Sequence, residues 1–246
     1  MSFASEELRL RGRGEIYKVF DRISRRYDLA NTLISFGQDA RWRRALVSGV
    51  IRELNGKGDF VILDLGTGTG EVIRVFREYV GDSGLLVGID MSENMLNVAK
   101  RKCGGCLGEN VFFLMDAMYI GLVGSAVDAV TIAFGIRNVA EVDRCLEEIW
   151  RVLKPGGVLG ILEFGLPQGS MWRNIYMVYL NYVLPGIGKV LTGEIRAYRY
   201  LGETICSFPS HEKFLELLFR MGFVGCTYKE FLGGAVLLYL AHKPKN

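Results

Sequence analysis

The sequence predicts an α/β protein: a Rossmann-like, mostly parallel sheet with N-terminal helices ahead of it and a helical insertion before the last helix and strand pair. Three observations predict it. From residue 60 onward, short continuous apolar runs alternate with stretches of helical spacing, the pattern of βαβ units. The first run, VILDL, passes directly into the glycine-rich turn GTGTG at 66–70. The second, LLVGID, closes on an acidic residue, Asp90, about twenty residues beyond the last glycine of that turn.

The elements follow in order. Residues 15–30 and 39–54 carry apolar positions at three- and four-residue spacing, with 31–37 as the break between two helices. Strand 60–65, helix 70–80, strand 85–89, helix 92–103 with Ser92 as N-cap, and strand 111–115 then make a βαβαβ run with right-handed crossovers. Strand 127–133, helix 140–153, the breaker Pro155-Gly156-Gly157 and strand 158–163 continue it. After Pro167 the alternation stops. An aromatic-rich insertion (171–200), helix 210–221 and an antiparallel pair, 223–230 and 234–242, turning at Gly233-Gly234, complete the chain. We divide it into 1–57, helices capping the site, and 58–246, the main domain, in which 168–200 is a lid-like insertion.

The turn points to an adenosyl cofactor. A dinucleotide fingerprint places a third glycine where this chain has Glu71, and a carboxylate there opposes a pyrophosphate. S-adenosylmethionine carries no phosphate and has a cationic sulfonium and ammonium, which tolerate Asp64 and Glu71. Gly66, Gly68 and Gly70 also have a purely structural alternative, a tight turn with close packing. Asp90, at the carboxyl end of its strand, is placed to accept both ribose hydroxyls.

Composition narrows the rest. Residues 1–57 hold twelve Lys/Arg against seven Asp/Glu, whereas 58–246 hold eighteen against twenty, so the basic surplus is N-terminal. Such an arm suits anionic headgroups or nucleic acid, or is a solvated helix face, and no RNA-binding signature accompanies it. The N-terminus lacks an apolar signal core, so a cytosolic chain is expected. Five cysteines do not make a secreted disulfide framework, and Cys103 and Cys106, a CGGC pair, lack the second pair or nearby histidines of a metal site, His211 and His242 being far along the chain. The insertion stretch MWRNIYMVYLNYVLPGIGKVL (171–191) is interrupted by Arg173, Lys189 and Pro185-Gly186, so two short helices hinged at Pro185 fit better than a membrane span. Its Trp172, Tyr176, Tyr179 and Tyr182 are either ordinary packing residues or an apolar lid that admits a greasy substrate or rests on a bilayer.

Five stretches resemble the C-methyltransferases of ubiquinone and menaquinone biosynthesis, the demethylmenaquinone methyltransferase family: YDLANTLISFGQDARWR (27–43), VILDLGTGTGE (61–71), TIAFGIRNV (131–139), RVLKPGGVLGILEFGLP (151–167) and, more loosely, RYLGETICSFPSHEKF (199–214). The resemblance spans nearly the whole chain. It implies a seven-stranded class I methyltransferase sheet, S-adenosyl-L-methionine as donor and a ring carbon of a prenylated quinol as acceptor, with demethylmenaquinol the expected substrate. It also implies cofactor contacts at Thr69, Asp90, Met91, Asp116 and Ala117, besides Asp64 and the glycines. From their own place in the chain, Tyr27 and Asp28 either close the methionine end of the site or, at the end of an amphipathic helix, simply pack. Two positions depart from the family pattern. Ala133 stands where a serine is usual before FGIRN, and Asp39 where a histidine is usual after SFG-x.

The chemistry also follows from the residues. Methylating a ring carbon requires the ortho hydroxyl to ionise, so the site must stabilise a phenolate and hold carbon and methyl in line. Arg137 in FGIRN is the candidate for that role, a permanent cation that lowers the acceptor's pKa or orients a water. Its structural alternative is a pair with a helix-end carboxylate such as Asp143. Asn138 orients Arg137 or caps the following helix, and Glu163 is expected at the cleft rim. A hydrophobic tail needs an open apolar groove from the cleft toward 171–191. Peripheral membrane contact and a homodimer are both compatible with the sequence. The alternatives are another lipophilic or phenolic acceptor, RNA, or a cofactor-binding partner without catalysis.

Overall fold

The computed structural model describes Thr32 and residues 35–55, 58–105, 108–192 and 195–245. Helix α1 (Asp39–Glu53) precedes β1 (Val61–Leu65), α2 (Glu71–Val80), β2 (Leu85–Asp90), α3 (Glu93–Cys103) and β3 (Glu109–Leu114). Then come β4 (Val127–Ala133), a 3-10 turn (Ile136–Asn138), α4 (Val142–Val152) and β5 (Leu153–Phe164). The insertion comprises α5 (Ser170–Val178), a π-helical turn (Tyr179–Val183), α6 (Leu184–Thr192) and α7 (Ile195–Ser207), and α8 (Glu212–Arg220), β6 (Val224–Phe231) and β7 (Val236–His242) follow. Tyr27, Asp28, Cys106 and the helix expected at 15–30 lie outside the described residues.

The seven strands form one sheet in the order β3-β2-β1-β4-β5-β7-β6. The first five run parallel, and β7 runs antiparallel to both β5 and β6. Strand order reverses between β1 and β4, so their carboxyl ends diverge into a crevice. Successive side chains of a strand point to opposite faces, and both faces here are dry. Ile62 joins Trp42, Leu46, Val50 and Phe76 under α1 and α2. Leu63 and Leu65 join Leu146, Ile149, Phe214 and Leu218 under α4 and α8. Each such fully buried side chain contributes about 1.5–3 kcal/mol, which explains why VILDL and LLVGID read as near-continuous apolar runs.

Local signals account for two helix starts. Ser92 caps α3 by accepting from the Met95 N–H at 3.2 Å. Gly70 caps α2 in the left-handed region (φ 81), and a side chain there would come within 3.1 Å of Ala99 Cβ and Cys103 Sγ, so only glycine lets α2 and α3 approach.

Three expectations need correction. The Pro155-Gly156-Gly157 segment does not end the helix ahead of a later strand: β5 starts at Leu153, paired with Val127, and runs through the segment with a register shift between Val127 and Ala129. A bulge of this kind absorbs the proline and the left-handed Gly156 (φ 77) without breaking the ladder. Nor does the insertion hinge at Pro185. The π turn at Tyr179–Val183 leads straight into α6, widening the helix just before the proline, whose ring and missing N–H an unmodified α-helix would not accommodate. Finally, α1 buries Trp42, Leu46, Val47 and Val50 in the main core, so that part of 1–57 belongs to the body of the domain.

No helix among the described residues is long and apolar enough to cross a membrane.

Candidate active site

The carboxyl ends of β1, β2 and β4 build the first half of the site. Gly66 (φ 61), Gly68 (φ 55) and Gly70 (φ 81) are all left-handed, a path other residues resist. A Cβ on Gly66 would meet nothing within 4 Å, and one on Gly68 only a backbone oxygen at 4.0 Å, so the loop lies open to a ligand. Asp90 braces that loop: one carboxylate oxygen accepts from the Gly68 N–H (2.8 Å) and the other from the Ser92 N–H (2.8 Å). Exposed Met91 follows it. Asp116, tied through its Oδ1 to the Met118 N–H (2.9 Å), and Ala117 form the turn after β3, and the Met115 N–H donates to the Asp90 carbonyl (2.9 Å). Sequence-distant Asp64, Thr69, Asp90, Met91, Asp116 and Ala117 thus gather at one end of the sheet.

Asp64 faces inward. Parallel register sets it opposite Thr131, whose hydroxyl donates to its Oδ1 at 2.7 Å. Its Oδ2 and the Thr67 Oγ1 are buried without a hydrogen-bond partner among the described residues. Burial pushes the Asp64 carboxyl up to about 6, opposed by the Thr131 hydroxyl, the nearby Thr67 hydroxyl and the charge of Arg43 and reinforced by Asp90. Buried acceptors left unpaired beside an open glycine loop fit a cationic, hydrogen-bonding ligand, the character of an aminoacyl sulfonium. Glu71 is ion-paired with Lys102 (2.7 Å) and Arg74 (3.5 Å), so its charge bears on the loop less than its position alone implies.

The second half is aromatic and charged. Ala133, half-buried, ends β4, and Phe134 adopts a left-handed backbone (φ 56), a conformation that costs about 1–3 kcal/mol for a bulky side chain. The kink is held by the Phe134 N–H to Leu162 (2.7 Å), and it turns the Phe134 carbonyl onto Arg137 Nη1 (2.6 Å). Trp42 of α1 meets the Phe134 ring edge-on (6.2 Å), Phe134 packs on Phe164 (4.5 Å), and the Arg137 guanidinium lies 5.3 Å above the Phe164 ring.

Arg137 is buried, and its ion partner is Glu163 at the end of β5 rather than Asp143. Glu163 is itself fully buried and so does not sit at a cleft rim. Burial pushes its carboxyl up, and Arg137 and the Phe164 N–H (2.7 Å) oppose that. Arg137 Nε is buried and unpartnered among the described residues. Asn138 does not cap the next helix: α4 starts at Val142 with Glu141 at its N-cap, and the Asn138 N–H instead closes the 3-10 turn onto Gly135 (3.0 Å).

The sequence reading lacks two contacts, both made by Arg43. Asp39 pairs with Arg43 at helical i,i+4 spacing and also accepts from the Ser35 hydroxyl (3.0 Å), so the anion at the usual histidine position is neutralised in place. That spacing was legible. Arg43 in turn lies 5.8 Å over Phe134, which no local pattern reveals. On the insertion, Tyr176 stacks on Tyr179 (6.1 Å) and packs with Leu180, Leu184 and Tyr198, while Trp172 donates to the Leu232 carbonyl (2.7 Å). Tyr182 points outward, 75% exposed.

Comparison with known proteins places this arrangement. The sequence model of the ubiE/COQ5 methyltransferase family matches residues 8–243. A demethylmenaquinone methyltransferase from Thermus thermophilus is 38% identical over 226 residues, spanning 92% of this chain and 100% of its own. A ubiquinone/menaquinone biosynthesis C-methyltransferase from Syntrophotalea carbinolica is 40% identical over 222 residues, spanning 90% and 91%. Among solved structures, a methyltransferase from Thermotoga maritima described as S-adenosylmethionine-dependent superposes with a TM-score of 0.58 at 18% identity over 93% of this chain and 99% of that one. The [4+2]-cyclase SpnF gives 0.59 at 21% identity over 82% and 81%. These two show a shared fold only, and the cyclase illustrates that the fold alone does not set the chemistry.

Proposed function

Because this chain belongs to the ubiE/COQ5 methyltransferase family, it is a methyltransferase of quinone biosynthesis, and we propose that it transfers methyl from S-adenosyl-L-methionine to a ring carbon of a prenylated quinol, demethylmenaquinol foremost. The observation that carries the acceptor side is Arg137: a buried guanidinium whose Nε has no partner among the described residues, in the turn that follows β4, the strand paired with β1, and walled by Phe134 and Phe164.

The bound donor supplies an electrophilic methyl on a sulfonium. Asp64 and Thr67 receive its ammonium, Asp90 takes the ribose hydroxyls beside the N–H groups it already holds, and Met91, Asp116 and Ala117 border the adenine. Tyr27, Gly66, Gly68, Thr69, Gly70 and Ala133 complete the donor site. Arg137 stabilises the ring oxygen as it loses its proton, raising electron density at the ortho carbon. Phe134, Phe164 and Trp42 exclude water, which strengthens the guanidinium's hold on a developing anion. The 168–200 insertion closes over the acceptor.

The tail runs toward the insertion, and the protein works in the cytosol against a membrane surface. Support for that contact is the outward face of the insertion, where Met171, Ile175, Val178 and Tyr182 are exposed at a spacing of one residue per helical turn.

Incubating the full chain with labelled S-adenosylmethionine, demethylated quinols of differing tail length in vesicles, and RNA, followed by mass spectrometry, tests this. Label is expected on a quinol carbon, with long-tailed quinols turned over only when vesicles are present. Label on RNA, or on no quinol, would reject it.

Donor binding carries its own pH signature. If the donor's ammonium pairs with ionised Asp64, affinity should be nearly flat above pH 7 and weaken about fivefold between pH 6 and pH 5, since with a pKa of about 6 the ionised fraction falls from about one half to about one tenth over that unit. In the free protein the sign is opposite. The folded-state pKa is raised above its unfolded value, so Asp64's contribution to stability is fuller below about pH 4 and declines as pH rises through 6. Calorimetric titration from pH 5 to 8 reads the first effect, and an affinity independent of pH would remove Asp64 from the ammonium site.

A further inference from the structure

We propose that Glu163 is a positioning residue for catalysis: its buried carboxylate fixes Arg137 so that Nε, and not the clamped Nη1, faces the acceptor oxygen. This rests on the assignment of Arg137 to the acceptor side. Glu163 is fully buried at the carboxyl end of β5, two strands from the glycine loop. Its Oε1 accepts from Arg137 Nη1 and from the Phe164 N–H (2.7 Å), and its Oε2 accepts from the Arg137 backbone N–H (3.3 Å). The Phe134 carbonyl takes a further bond from the same Nη1 (2.6 Å). A long, rotatable side chain is thereby tied at its main chain and at one terminal nitrogen, while Nε stays buried and unpartnered among the described residues.

Two properties separate this from an ordinary core ion pair. A pair evolved only for packing would be expected to satisfy its donors, since an unpaired buried N–H costs about 1–3 kcal/mol. Here both carboxylate oxygens are bonded and the guanidinium Nε is not, so the unmet hydrogen bond lies on the member assigned to the acceptor. The second property is charge. With Glu163 ionised the pair is close to neutral, so a phenolate formed beside Arg137 balances the positive charge of the donor in a site with little water. Glu163 takes no proton in this scheme; it holds a direction and a charge. The other ionisable groups that face it electrostatically are Tyr176 of α5 and Tyr239 of β7, whose phenols burial holds well above their usual range.

Glu163→Gln removes the charge at nearly constant volume and turns an amide N–H₂ toward N–H donors, which releases the guanidinium. Using a short-tailed demethylated naphthoquinol, kcat is expected to fall tenfold or more, with the dissociation constant of S-adenosylmethionine within about twofold of the parent. The acid limb of kcat against pH is expected to rise by about one unit, as the acceptor hydroxyl loses its oriented cation. Glu163→Asp, which keeps the charge but disturbs packing at least as much, is expected to retain more turnover than Glu163→Gln. The proposal is overturned if kcat and the acid limb are both unchanged, or if turnover falls only in proportion to the folded fraction measured by circular dichroism while the limb stays in place. Arg137→Ala, run in parallel, separates the two claims. Full activity there would remove Arg137 from the acceptor site altogether, whereas an inactive Arg137→Ala beside a fully active Glu163→Gln would overturn the role of Glu163 alone.

Discussion

An Arg137→Ala variant is expected to lose about 10²–10³-fold in turnover of a demethylated quinol, the range found when one preorganised donor to a developing oxyanion is removed. Its affinity for S-adenosylmethionine should stay within a few-fold of the parent, because the glycine loop, Asp90 and Asp64 do not depend on the guanidinium. The substitution also leaves Glu163 buried without its cation, and breaking a buried pair from one side destabilises by about 3–5 kcal/mol. Activity must therefore be scored per folded molecule. A double variant, Arg137→Met with Glu163→Leu, removes both charges and should recover much of the lost melting temperature while remaining inactive. Full turnover in a folded Arg137→Ala protein would end the catalytic assignment, and a collapse of donor affinity would move Arg137 to the cofactor side.

Asp90→Ala should do the opposite, raising the donor's dissociation constant about 100-fold and sparing the chemical step at saturating donor. Two hydroxyl bonds to a charged acceptor contribute about 1.5–3 kcal/mol each, so the lower end of that range, about 3 kcal/mol for the pair, already corresponds to a factor of about 100. The carboxylate also braces the loop, so its loss frees the Gly68 and Ser92 N–H groups as well. Asp90→Asn keeps one acceptor oxygen and should fall between the two. Isothermal calorimetry with the donor gives the ranking directly, and an Asp90→Ala protein that binds as tightly as the parent would mean that the ribose lies elsewhere.

What could be foreseen depended on how local its cause is. The glycine turn, the Ser92 cap and the other strand runs are set by near neighbours in sequence and lie within a residue or two of the observed elements, whereas β5 starts five residues ahead of the expected strand. Asp64 was placed correctly on its strand, yet its bond to Thr131 is set by the register of two strands that sequence does not align. Arg137 shows the limit more sharply. A nearby carboxylate, Asp143, is the natural partner on the page of letters, but the left-handed turn at Phe134 sends the side chain back to Glu163 on the adjacent strand. The π turn before Pro185 was hidden for a related reason, since helical spacing alone does not tell a kink from a local widening.

The antiparallel β7, wedged between β5 and β6, has a consequence for how the protein is made. On the ribosome, β5 emerges with one edge open, and the strand that will cover it follows only after the whole insertion and α8 have been synthesised. For that interval a twelve-residue strand bearing Glu163 presents bare amides on a long hydrophobic ribbon, a template for pairing between nascent chains. Premature chain termination in the 165–235 stretch should therefore yield insoluble fragments rather than a smaller working enzyme.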